Sequence, residues 1–150
     1  MSPDEHSVAP TLSYVIGRLD RVAKAAMAKV IREDDLSVNQ YTVLSVLGSR
    51  GSLSNAQLAR RSFVSPQSMN EVLLALEIKG FVGREDDPNH GRIRKTTLTP
   101  KGRVALASCD TRVAAVEAQM TGELSAEERA LLHRLMVECV RGLHGGFSKL

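Results

Sequence analysis

SNAQLARRSFVSPQSMNEVLLALEIKG, residues 54–80, decides how this chain folds. Ser54 with Gln57 forms a capping box, in which the hydroxyl accepts the third-residue amide and Gln reaches back to the cap. Leu53 and Leu58 sit at the staple positions around it, so a short helix is expected over about 55–61. The turn Ser62-Phe63-Val64 follows. Ser65 then serves as an N-cap and Pro66 suits the first helical position, where a missing amide costs nothing. Met69, Val72, Leu73 and Leu76 recur at i, i+3, i+4, i+7, and Gly80 stops the helix. Helix, three- to four-residue turn, helix is a helix-turn-helix.

Downstream, FVGRE (81–85) and RIRKTTL (92–98) are short β-capable runs. The turn-rich link Asp86-Asp87-Pro88-Asn89-His90-Gly91 joins them, which predicts a hairpin wing directly after the second helix. Thr99-Pro100 opens a long helix to about Met120, carrying Val104, Leu106, Cys109, Val113, Val116 and Met120. Ser125 with Glu128 caps a last helix whose stripe is Leu132, Leu135, Met136, Cys139 and Leu143, stopped by Gly145-Gly146. Upstream, residues 1–10 read as a flexible arm. Leu12, Ile16, Leu19, Ala23, Ala26 and Val30 mark a first helix from Thr11 to about Arg32, broken at Glu33-Asp34-Asp35. Ser37 with Gln40, stapled by Leu36 and Tyr41, starts a second helix that Gly48 and Gly51 close. The expected class is mainly α with a small β wing (α+β). One domain is expected over 11–150, with a winged helix-turn-helix at 36–99 and dimerisation helices at 11–33 and 100–146.

The 150 residues are 43% hydrophobic and 25% charged, as in a globular chain. No apolar run approaches the ~20 residues that span a bilayer, and the N-terminus lacks a secretory h-region; the cytoplasm is expected. Net charge is only +3, but residues 60–103 hold nine Lys/Arg against five acids, so the positive excess is local. Two Tyr, three Phe and no Trp leave little to stack single-stranded bases on. The histidines show no two-on-one-face spacing, so no metal or other cofactor is expected. No nucleophile triad, phosphate-cradling glycine loop or convergent carboxylate pair points to an enzyme. Cys109 and Cys139 lie on apolar stripes and are expected to be buried, unreactive thiols in preference to redox sensors.

In a winged helix the second helix enters the major groove of double-stranded DNA while other groups set its register on the backbone. Opposite its Met69/Leu73/Leu76 face lie Pro66, Gln67, Asn70, Glu71 and Leu74. Gln67 and Asn70 match adenine bidentately, and Glu71 can accept from cytosine. Ser65 and Ser68, in the first turn, face phosphate. At the wing, Arg92 and Arg94 are expected on opposite faces of the strand, so that only one enters a minor groove. The other, with Lys95, is expected to serve the DNA flank or the hairpin itself, and Asp87 is expected to shape the turn and pair with one of the two arginines.

The segments LSVNQYTVLSVL, LSNAQLARRSFVSPQSMNEVLLALEIKGFVGRE and DDPNHGRIRKTTLTPKGR together resemble the MarR family (multiple antibiotic resistance regulators). The family's wing reads D-P-x-D-R-R, a strand, then L-T-x-x-G. Asp87 and Pro88 match, Arg92 falls on the second arginine, and Leu98-Thr99-Pro100-Lys101-Gly102 match the close; His90 and Gly91 replace the usual Asp and first Arg. The resemblance implies a homodimeric, ligand- or redox-responsive regulator, most often a repressor, on a pseudo-palindromic operator. It also implies a small aromatic or anionic effector. Arg18 among Leu12, Ile16 and Leu19 reads either as its carboxylate anchor or as an exposed or interface cation. A winged-helix module that binds protein instead of DNA is the alternative, and salt dependence separates the two.

Overall fold

Thr11, Ser37, Ser54, Ser65 and Ser125 each accept a first-turn amide with the side-chain oxygen, and each starts a helix. The computed structural model describes residues 9–143. Most of the expected N-terminal arm and the Gly145-Gly146 stop therefore lie outside the described residues. The chain divides into two units, residues 1–116 and 117–150. In order, the elements are α1 (Leu12–Ile31), a one-turn 3-10 helix (Arg32–Asp34), α2 (Val38–Arg50), β1 (Leu53–Ser54), α3 (Asn55–Ser62) and α4 (Pro66–Ile78). Then come β2 (Val82–Asp87), β3 (His90–Leu98), α5 (Pro100–Met120) and α6 (Ala126–Gly142).

The fold is mainly helical with a small antiparallel sheet in the order β1-β3-β2, a winged helix-turn-helix. All three capping boxes form as the sequence predicts. Leu44 and Leu47 of α2, Leu58 of α3, and Met69, Leu73 and Leu76 of α4 are almost fully buried together. Each such side chain contributes about 1.5–3 kcal/mol relative to exposure, which holds α4 with its polar face outward. Gly80, at φ 75°, turns the chain out of α4. There the Phe81 amide donates to Leu76 O (2.9 Å) and the Gly80 amide to Glu77 O (2.9 Å), a Schellman end that only a left-handed residue permits.

Three details differ from the sequence reading. The hairpin is longer than FVGRE and RIRKTTL, because ladder pairing draws most of the presumed turn into strand and leaves Pro88-Asn89 as the tip. Leu53 and Ser54, read as staple and cap, also pair with Thr96 and Lys95 as a third strand. Gly48 lies inside α2, which ends at Gly51.

The acidic break after α1 is a docking point for α5. Arg112 pairs with Asp34 and, at 3.1 Å, with Glu33, while Cys109 Sγ donates to Asp34 Oδ2 (3.3 Å). Tyr41 OH donates to Asp110 Oδ1 at 2.9 Å. Burial, and then the hydrogen bond to Asp34, push the Cys109 thiol up to about 12. Cys139 contradicts the expectation of burial: it is exposed on α6. The stripe that carries it is also largely exposed, at Leu132, Leu135 and Leu143. A stripe on a sequence marks a face that wants a partner, not one that already has it. In the first unit α1 likewise exposes Leu12, Tyr14, Val15, Leu19 and Val22. Among the described residues no helix is long and apolar enough to cross a membrane.

Candidate nucleic-acid interface

The face of α4 away from the core is open to solvent. Ser65, Pro66, Gln67, Ser68, Asn70, Glu71 and Leu74 are all exposed. Ser65 Oγ accepts the Ser68 amide (3.1 Å) and donates to Ser68 Oγ (3.0 Å). Its capacity is thus spent on capping, and the Ser68 hydroxyl keeps a proton for an outside acceptor. The turn into α4 holds an unexpected feature. Phe63 ends α3 in a left-handed conformation, φ 57°, with its ring 90% exposed.

The wing is built around Asp87. The Asn89 amide (3.0 Å) and then the Lys95 amine (3.0 Å) donate to its carboxylate and hold it below the usual range. Its partner is therefore Lys95 and not an arginine. Of the two roles open to Lys95, the DNA flank or the hairpin itself, this ion pair favours the hairpin. Arg94 pairs with Asp86 (3.6 Å) and donates to Arg84 O (3.2 Å).

The expectation that Arg92 and Arg94 point to opposite faces also fails. Residues two apart along an extended strand share a face. Ladder register shifts between Asp86, opposite Arg94, and Asp87, opposite His90, so that Gly91, Arg92 and Ile93 fall outside the paired positions. Arg92 and Arg94 both line one recess with Arg84 and with Ser54, Asn55 and Ala56 of the first turn of α3. Arg92 is exposed and makes no ion pair among the described residues.

Exposed polar helix face, capped N-terminus and basic wing occur here in one winged helix, and residues 36–93 match the family model described as MarR family. An HTH-type transcriptional repressor of Mycobacterium tuberculosis is 30% identical over 125 residues, which cover 83% of this chain and 90% of that relative. This chain belongs to the MarR family. It is a MarR-family transcriptional regulator. The fold is that of solved MarR-family structures. A mutant Escherichia coli MarR complexed with operator DNA superposes with a TM-score of 0.78 at 22% identity, covering 86% of this chain and 93% of that one. A Bordetella bronchiseptica structure has a TM-score of 0.77 at 20% identity, over 85% and 97% of the two chains. Its subject is the regulation of BpsR DNA binding by 6-hydroxynicotinic acid.

Within this MarR chain, two residues join the site that spacing did not single out. Asn55 Nδ2 donates to Pro66 O (3.2 Å), which ties the start of α3 to the start of α4. Arg84 was visible only as one cation among nine, because its neighbours arrive from β3 and α3. Arg18 is exposed on α1. It lines neither the wing recess nor a second recess of about 470 Å³ where Arg32, Leu36, Ser37, Gln40 and Lys79 meet.

Proposed function

We propose that this regulator is a homodimeric, effector-responsive repressor that reads a pseudo-palindromic duplex with one α4 in each major-groove half-site. The observation that carries the reading is an α4 whose base-reading side chains are all exposed, beside a wing whose Arg92 is left unpaired by its neighbours. Gln67 and Asn70 are the adenine readers, Glu71 takes cytosine, and Ser68 and the first-turn amides take phosphate. Arg92 supplies the minor-groove contact, where a narrow A·T-rich groove concentrates negative potential. The exposed apolar side chains of α1 and of α6 support a second copy of the chain as partner, since a two-fold pairing removes both from water. A small aromatic or anionic effector fits the family, with exposed Arg18 one candidate anchor.

Selection of bound sequences from random duplex DNA tests the reading. The expected product is an inverted repeat with half-sites about one helical turn, ~34 Å, apart, flanked by A·T-rich steps under the wings. A single asymmetric site bound by one chain counts against it. On the selected site, Gln67→Ala or Asn70→Ala is expected to cut discrimination between cognate and mismatched bases by roughly 1–3 kcal/mol. Dimerisation should persist, because both side chains lie on α4 and not on the α1 and α6 helices proposed to pair. Unchanged discrimination in both variants moves base reading to other residues of the helix.

A further inference from the structure

The recess under the wing collects positive charge that the described residues only partly balance. Arg84, Arg92 and Arg94 line it together with Ser54, Asn55 and Ala56, around a volume of about 420 Å³. Asp86 answers Arg94, but Arg84 and Arg92 have no acidic partner among the described residues. Arg84 Nε is shielded from solvent and donates to nothing among the described residues, an arrangement that costs desolvation without return. The first turn of α3 adds to the same sign. The Ser54 hydroxyl caps the Gln57 amide, so it does not serve the Asn55 and Ala56 amides that open the helix. Like charges gathered this way repel, and a bound anion offsets the repulsion. Guanidinium forks and helix-opening amides are together the donors that suit a phosphate.

Position says which phosphate. One wall of the recess is β3, which carries Arg92. Asn55 at the other wall is hydrogen-bonded to Pro66 O, the first residue of α4. A duplex with α4 in its major groove and the wing in the adjacent minor groove runs a sugar-phosphate strand between them. We infer that Arg84 and the first turn of α3 form a phosphate site that seats the DNA strand dividing the two grooves. This rests on α4 and the wing being the DNA-contacting elements.

The test measures duplex affinity over a salt series for the full chain and for Arg84→Met, Arg84→Lys and Ala56→Glu. Arg84→Met keeps most of the apolar stem. Ala56 is exposed, and an acid in the first turn of a helix favours folding while repelling phosphate. Thermal unfolding confirms that each variant is native. Arg84→Met and Ala56→Glu are expected to bind about tenfold more weakly near physiological salt, with the log–log salt slope reduced by about 0.9 per site. Arg84→Lys should fall between them and the wild type. A scan of single methylphosphonate substitutions should find one phosphate per half-site whose neutralisation weakens the wild type but not Arg84→Met.

Wild-type slopes in both weakened candidates, with no such phosphate, overturn the inference while leaving duplex binding intact. Inorganic phosphate is the control for a free anion. If it shifts the Asn55 and Ala56 amide resonances at millimolar concentration, and the DNA salt slope ignores Arg84, the site takes a free anion and the DNA assignment is overturned. A wild-type chain that binds no duplex overturns the functional reading itself.

Discussion

Gly102→Ala is expected to leave much of the protein unfolded under conditions where the parent is native. Gly102 is buried near the start of α5. A Cβ there would lie 1.9 Å from the Phe81 carbonyl oxygen and 2.9 Å from its carbon. Both are backbone atoms, so no rotamer change relieves the clash. Phe81 cannot retreat easily, since its amide is held by Leu76 O and its carbonyl accepts the Thr99 amide (3.1 Å). Thr99 Oγ1 also donates to Gly80 O (2.6 Å) and accepts the Gly102 amide (3.0 Å). Moving α5 away breaks this junction between the end of α4, the wing base and the long helix. Overpacking costs about 1–3 kcal/mol and occasionally more, and a clash this close with fixed backbone belongs at or above the top of that range, out of a total stability of about 5–15 kcal/mol. Gly83→Ala is the control, because open space surrounds that position. Urea denaturation of both variants decides the matter, and a Gly102→Ala midpoint close to the parent's would show that α5 does not pack here as described.

Alkaline pH should weaken the fold through Cys109. Its thiol is raised in the folded chain from the ordinary 9.0 to about 12, so between those values the unfolded chain has lost a proton that the folded chain keeps. The unfolded state then binds fewer protons, and stability falls as pH rises, by about 1.4 kcal/mol per pH unit from this group. The contribution is fully present below pH 9 and is lost as pH climbs toward 12. The structural cause is the buried pocket in which Cys109 donates to Asp34. The difference in slope between parent and Cys109→Ala, taken from denaturant midpoints at a series of pH values, isolates the effect from other titrating groups. Identical slopes would remove the thiol from the linkage. A chemical counterpart follows for the native chain at neutral pH. A thiol reagent should reach Cys109 only on unfolding, because that thiol is buried. The sequence had treated both cysteines alike.

That contrast marks where one-dimensional reading ends. Helix starts were legible, since a capping box is a contact between residues three apart and its signal is entirely local: Ser37, Ser54 and Ser125 all cap as their spacing predicts. The buried face of α4 was legible as well, because Met69, Leu73 and Leu76 repeat at the helical period. So was the presence of a wing, from a turn-rich segment between two β-capable runs.

What failed depended on which strand residues meet. The ladder extends past the presumed turn, and a register shift at the Asp86–Asp87 step unpairs Arg92 from β2. Asp87 reaches Lys95 and Asp86 reaches Arg94, although all the acids and cations concerned sit within ten residues. Sequence counts charges, but pairing is set by register, and a slip of one position changes every partner. Likewise an apolar stripe records that a helix has a face to bury. Residue spacing determined the helices and the wing of this protein. Tertiary structure alone decided that Cys109 is enclosed by α5 and the turn after α1 while Cys139 faces water, and that Arg84, Asn55 and Arg92 share one recess, because burial and convergence arise between segments far apart in the chain.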